Sequence, residues 1–184
     1  MHPFSSPIIE VAISDAIQKR AQIFAEAVIA TVDYSDARQQ SRRKICHDHW
    51  VSKVGEEAVK LAFERHSRPV QGPDYTIYDA PQKSWEADLY VDGVPLAVKT
   101  QTQAMANHFG LSWTFQAGSQ KGRRDPILDS PEAWVCFVKY DEAGQTGWVY
   151  SPRQVETLRF GEPKLAKLRG FKKVVYADNL LSNF

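Results

Sequence analysis

The dipeptide Asp92-Gly93 constrains this chain more than any other feature. It separates Trp85-Glu86-Ala87-Asp88-Leu89-Tyr90-Val91 from Val94-Pro95-Leu96-Ala97-Val98-Lys99-Thr100. Both runs have strand character, and an Asp-Gly pair supplies the positive φ angles that a tight hairpin turn demands. A two-residue turn sets Val91 opposite Val94, which carries Asp88 to a position across from Ala97 and Lys99 to one across from Glu86. Side chains alternate along a strand, so Asp88, Ala97 and Lys99 share one face, with the Ala97 methyl expected toward the surface. Charged groups inside two adjacent apolar strands are costly unless they are paired or functional. A carboxylate beside a lysine suits a divalent cation held by Asp88, with Lys99 orienting or activating a water. The same pattern also fits a Glu86–Lys99 ion pair on a solvent face.

The remaining elements are read from periodicity. Apolar residues at helical spacing from Ile9 to Val32 predict a first helix, with Ser14 or Asp15 available to cap it. A second helix is predicted from Asp48 to Arg65, N-capped at Asp48 and flanked by surface histidines His47 and His49. Ser67-Arg68-Pro69 and Gly72-Pro73 end it. Beyond it, Tyr75 to Tyr78 is a short β-rich run, and Gln101 to His108 reads as a loop or short helix. Leu111 to Gln116 is a strand that packs Trp113 and Phe115, and Trp134 to Tyr140 is a central strand with Trp148 to Tyr150 as hairpin partner. Arg153 to Leu158 looks helical, and Phe171 to Tyr176 reads as an edge strand with two exposed lysines. The fold class is therefore α/β in the mixed α+β sense: a central mixed sheet flanked by helices, with a helical N-terminal region.

Composition narrows the function classes. The 184 residues suit a single domain spanning 1–184, and 43% hydrophobic with 24% charged residues is ordinary globular usage. No apolar run reaches the roughly 20 residues of a membrane span, and no secretory leader pattern opens the chain, so a cytoplasmic protein without membrane partners is expected. Cys46 and Cys136 lie in no ligand-like cluster and read as buried thiols. No glycine-rich phosphate loop is present, so no nucleotide cofactor is expected. A net charge of +1 is silent about nucleic acid. Its distribution is not, because basic residues bunch at Arg42-Arg43-Lys44, at Lys121-Gly122-Arg123-Arg124 and between Lys164 and Lys173.

Gly55-Glu56-Glu57 on the second helix, Ala87-Asp88, and Leu96-Ala97-Val98-Lys99-Thr100-Gln101 together resemble the PD-(D/E)XK nuclease superfamily, the restriction-endonuclease-like fold. The resemblance covers about residues 48–116, and Trp134 to Tyr140 fits a later core strand. It divides the chain into an N-terminal helical extension (1–47), a catalytic core (48–150) and C-terminal elements (151–184). It implies a Mg²⁺-dependent DNA endonuclease, with Mn²⁺ as a substitute, acting in restriction, repair, recombination or mobile-element DNA processing. DNA is the implied partner, and a homodimer is compatible with the fold. Asp88 would bind the metal, Glu56 or Glu57 would complete its shell, the Val98 carbonyl would add a ligand, and Lys99 would position the attacking water. Gln101, Lys121, Arg123 and Arg124 would contact DNA. The family's acid two residues before the lysine is Ala97 here. Three explanations fit: the acid has moved, for example to Glu86 or Glu56; the protein has become a non-catalytic DNA-binding or protein-interaction module; or Ala97 is an inactivating substitution.

Overall fold

A computed structural model describes residues 6–31, 41–77, 87–119 and 124–181. The chain opens with β1 (Ile8–Ala12), followed by α1 (Asp15–Thr31) and α2 (Arg42–Arg65). Next come β2 (Val70–Gln71), β3 (Leu89–Val91), β4 (Val94–Thr102), α3 (Gln103–Phe109) and β5 (Ser112–Gln116). The remainder comprises β6 (Trp134–Asp141), β7 (Thr146–Tyr150), β8 (Arg153–Gln154), β9 (Phe160–Gly161), β10 (Lys172–Tyr176) and α4 (Ala177–Leu181). The mixed α+β class follows.

Several boundaries differ from the sequence reading, each for a local reason. Residues 8–12 are a strand, because Ile8, Ile9 and Val11 are β-branched and pair antiparallel with β7. The first helix starts only where Ser14 Oγ accepts the Ile17 N–H at 3.3 Å. The second helix begins at Arg42, with Ser41 as its cap accepting the Lys44 N–H, so Asp48 lies inside it and pairs with Lys44 one turn back. Tyr75 to Ile77 form no strand; Tyr78, Trp85 and Glu86 lie outside the described residues. Arg153 to Leu158 is a short strand against β6 and then a 3-10 turn. The strand near Phe171 is central to a second sheet, since β9 covers the side opposite β5, and Lys172 is half-buried while Lys173 is exposed.

The large sheet runs β1-β7-β6-β4-β3-β2, with β8 also on β6. Neighbouring strands are antiparallel except β4 and β6, which run parallel and are linked through α3 and the second sheet. The β3–β4 register sets Val91 against Val94 and Leu89 against Leu96, as the Asp-Gly turn predicts. Asp92 and Gly93 both take positive φ, 50° and 77°. One sheet face, carrying Leu89, Leu96, Val98, Cys136, Val138 and Val149, is covered by α1 and α2 through Ala21, Val54, Ala58 and Phe63. Val135, Phe137 and Tyr150 on the opposite face pack with Trp113 and Phe115 of the β5-β10-β9 sheet and Leu180 of α4. Cys136 is fully buried and Cys46 partly so. Among the described residues, no helix is long and apolar enough to cross a membrane.

Gly55 fixes how closely α2 approaches β4. A Cβ there would stand 1.8 Å from Thr100 Oγ1 and 2.9 Å from Thr100 Cβ, closer than atoms can pack. Gly55→Ala is therefore expected to lower unfolding free energy by about 1–3 kcal/mol through overpacking. Urea titration would read it, and Thr100→Ala in that background should recover part of the loss.

Candidate functional site

Among the described residues the strand expected over Trp85–Val91 begins only at Leu89, so Asp88 lies just before β3, while Lys99 lies in the middle of β4. Asp88 Oδ2 accepts the Val98 backbone N–H at 2.7 Å, which fixes the carboxylate against the lysine strand. Protein atoms crowd this carboxyl, and burial pushes its pKa up; the Val98 N–H and the positive charges of Lys53 and Lys99 hold it down in part. Ala97 is partly buried against the second core rather than turned to solvent, because the small sheet covers that face.

Helix α2 adds Glu56 beneath Asp88. Glu56 is only 3% exposed, and its carboxylate accepts the Lys53 ammonium at 2.6 Å and the Ser52 hydroxyl at 3.4 Å. Burial drives its pKa up to about 8; Lys53 opposes the shift and the nearby Asp88 adds to it. Glu57, one residue on, turns to α1, where it pairs with Arg20 and accepts the Tyr75 hydroxyl at 2.9 Å. Helical geometry separates neighbouring residues by about 100°, so only one of the two glutamates can face Asp88. That residue is Glu56.

A carboxyl that binds its proton more tightly folded than unfolded loses stability as pH rises from the unfolded value, about 4.5, to the folded value, about 8. The slope for one proton is at most about 1.4 kcal/mol per pH unit. Glu56→Gln is thus expected to raise the melting temperature clearly above pH 8 and hardly at pH 5, a trend that thermal melts across this range would check.

Lys99 is not aimed at open solvent. Its ammonium donates to Asp125 Oδ2 at 2.8 Å and lies 4.9 Å from the centroid of the Phe115 ring. Asp125 is placed by Gln116, which donates its N–H to the same carboxylate oxygen at 3.1 Å and accepts the Asp125 N–H at 3.0 Å. Asp125 then opens the 3-10 turn Pro126–Asp129. The sequence reading missed both Lys53 and Asp125. Lys53 had a signal, standing one helical turn before Glu56; Asp125 had only the Asp-Pro step, which marks a turn and not a partner.

The expected DNA contacts fare differently. Gln101 is committed to the β4–β5 connection: its Oε1 accepts the Ser112 N–H at 2.9 Å and its Nε2 donates to the Gly110 carbonyl at 3.3 Å. Arg124 pairs with Asp129, while Lys121 and Arg123 lie outside the described residues. His47 reaches Glu142 at 3.2 Å. Among the described residues, no three Asp, Glu, His or Cys side chains gather closely enough to hold one metal ion.

Asp88, Glu56, Lys53, Lys99 and Asp125 thus form a chain of opposed charges from α2 across the hairpin to the second sheet. Such an arrangement can bind a cation at Asp88 and Glu56 or an anion at Lys99, provided the internal pairs exchange for ligand. No family model, curated protein or solved structure matches this chain.

Proposed function

We propose that this chain is a Mg²⁺-dependent DNA endonuclease, serving restriction, repair, recombination or mobile-element DNA processing. One observation carries the reading: Asp88 immediately precedes β3 and hydrogen-bonds the Val98 N–H of the adjacent strand that carries Lys99, with the buried Glu56 beneath. Hard carboxylate oxygens on Asp88 and Glu56 suit Mg²⁺, which is held by one or two carboxylates and keeps several waters. When bound, the ion polarises a phosphate oxygen and activates water. Asp88 orients that site through its bond to Val98. Lys99 exchanges Asp125 for the phosphate, holds the attacking water and offsets charge that develops on phosphorus. The apolar wall of Phe115 behind the ammonium strengthens that interaction by excluding water.

A second reading has its own support. Ala97 offers no carboxylate, and Lys53 already pairs with Glu56 from within, as Lys99 does with Asp125. This favours a binding module that keeps the fold and does not cut. Supercoiled plasmid distinguishes the two. Nicked circles that require Mg²⁺ or Mn²⁺ and vanish with EDTA are expected. Duplex binding without any nicking would overturn the endonuclease in favour of the binding module.

A further inference from the structure

The second sheet brings to the site a charge that neither the hairpin nor α2 supplies. Lys172 opens β10 and pairs in register with Gln116 at the end of β5. Gln116 is the residue whose backbone N–H holds Asp125, and Asp125 is the partner of Lys99. Lys172 therefore stands beside the Lys99–Asp125 ion pair. The charges around its ammonium are Asp125, Lys44, Asp48 and Lys99. These already satisfy one another, Lys44 with Asp48 at 2.7 Å and Lys99 with Asp125 at 2.8 Å.

Lys172 is left half-buried, and its ammonium makes no hydrogen bond or ion pair among the described residues. Burial lowers its pKa, with Lys44 and Lys99 acting in the same direction and Asp125 and Asp48 against it. A cation held partly out of water, with the nearby carboxylates already paired elsewhere, is costly, and an arriving anion relieves that cost. Neighbouring Lys173 differs: it is exposed, and its ammonium lies 5.8 Å from the centroid of the Phe160 ring.

We propose that Lys172 is a phosphate-contacting residue, through which the second sheet grips the backbone of a DNA strand lying across Lys99. The inference rests on the DNA-endonuclease reading and extends it by assigning β10 to the substrate surface. A phosphate contact is independent of base sequence and releases a condensed counter-ion, so it has a signature that a structural role lacks.

The test is fluorescence anisotropy of labelled duplexes of unrelated sequence, titrated with the full chain in EDTA over a series of NaCl concentrations. Lys172→Ala is expected to weaken binding about 3–10-fold on every duplex and to reduce the log–log salt slope by about one. Lys172→Arg should retain both affinity and slope. Lys60→Ala, at the far end of α2, should match wild type. Wild-type affinity and slope in Lys172→Ala would overturn this inference alone. A wild-type chain that binds no duplex would overturn it together with the endonuclease reading.

Discussion

Lys99→Ala and Asp88→Asn are each expected to lower metal-dependent plasmid nicking by roughly 100-fold or more, the scale on which removal of one preorganised charge-stabilising group acts. Both should leave the fold standing. Asparagine is nearly isosteric with aspartate, and its Oδ1 can still accept the Val98 N–H that now ends on Asp88 at 2.7 Å. It loses the charge that would hold the ion and, with it, the cost of burying a carboxylate whose pKa burial has raised. Lys99 is partly exposed, and its removal leaves Asp125 still bound by the Gln116 N–H. Nicking rates beside urea midpoints separate chemistry from folding. Full activity in either variant would move the reaction away from this hairpin.

The second large effect is a gain. Ala97→Glu adds a carboxylate next to Asp88 in the register, on the face that also carries Lys99. One more hard oxygen ligand should tighten Mg²⁺ and fix it relative to the attacking water, raising nicking by about 10-fold or more. Because Ala97 packs against the second core, the longer side chain should cost about 1–3 kcal/mol of stability. Lys99→Ala in the Ala97→Glu background should abolish cleavage and leave DNA binding largely intact. An Ala97→Glu protein that folds and binds DNA yet never cuts would favour the binding module.

What the sequence could reveal depended on how local the determinant was. The hairpin register was legible because Asp92-Gly93 sets it within a few residues, and that register leads Asp88 to the strand that carries Lys99, where it accepts the Val98 N–H. The close approach at Gly55 has a local signal, since glycine on an amphipathic helix has few uses other than admitting a neighbour, and its identity, Thr100, comes only from the fold. Strand β1 was hidden: residues 8–12 carry helix-compatible spacing, and only pairing with β7, far along the chain, settles them as a strand. The central place of β10 was hidden for the same reason, since the two-residue strand β9 that covers it has no pattern of its own. Lys99 pairing with Asp125 required the fold of the whole second sheet, and no spacing rule connects positions that far apart. The choice between Glu56 and Glu57 turned on helix phase, which the position of Arg20 on α1 resolves.

The central claim is that Asp88 and Glu56 hold a divalent ion next to Lys99. Anomalous diffraction from crystals of the wild-type protein soaked in Mn²⁺ tests it most directly. The expected result is one peak at about 2.0–2.3 Å from an Asp88 carboxylate oxygen, with Glu56 released from Lys53 and the Lys99 ammonium beside the ion without ligating it. A saturating soak that shows Mn²⁺ only elsewhere, with the Lys53–Glu56 pair intact and no density at Asp88, would contradict it.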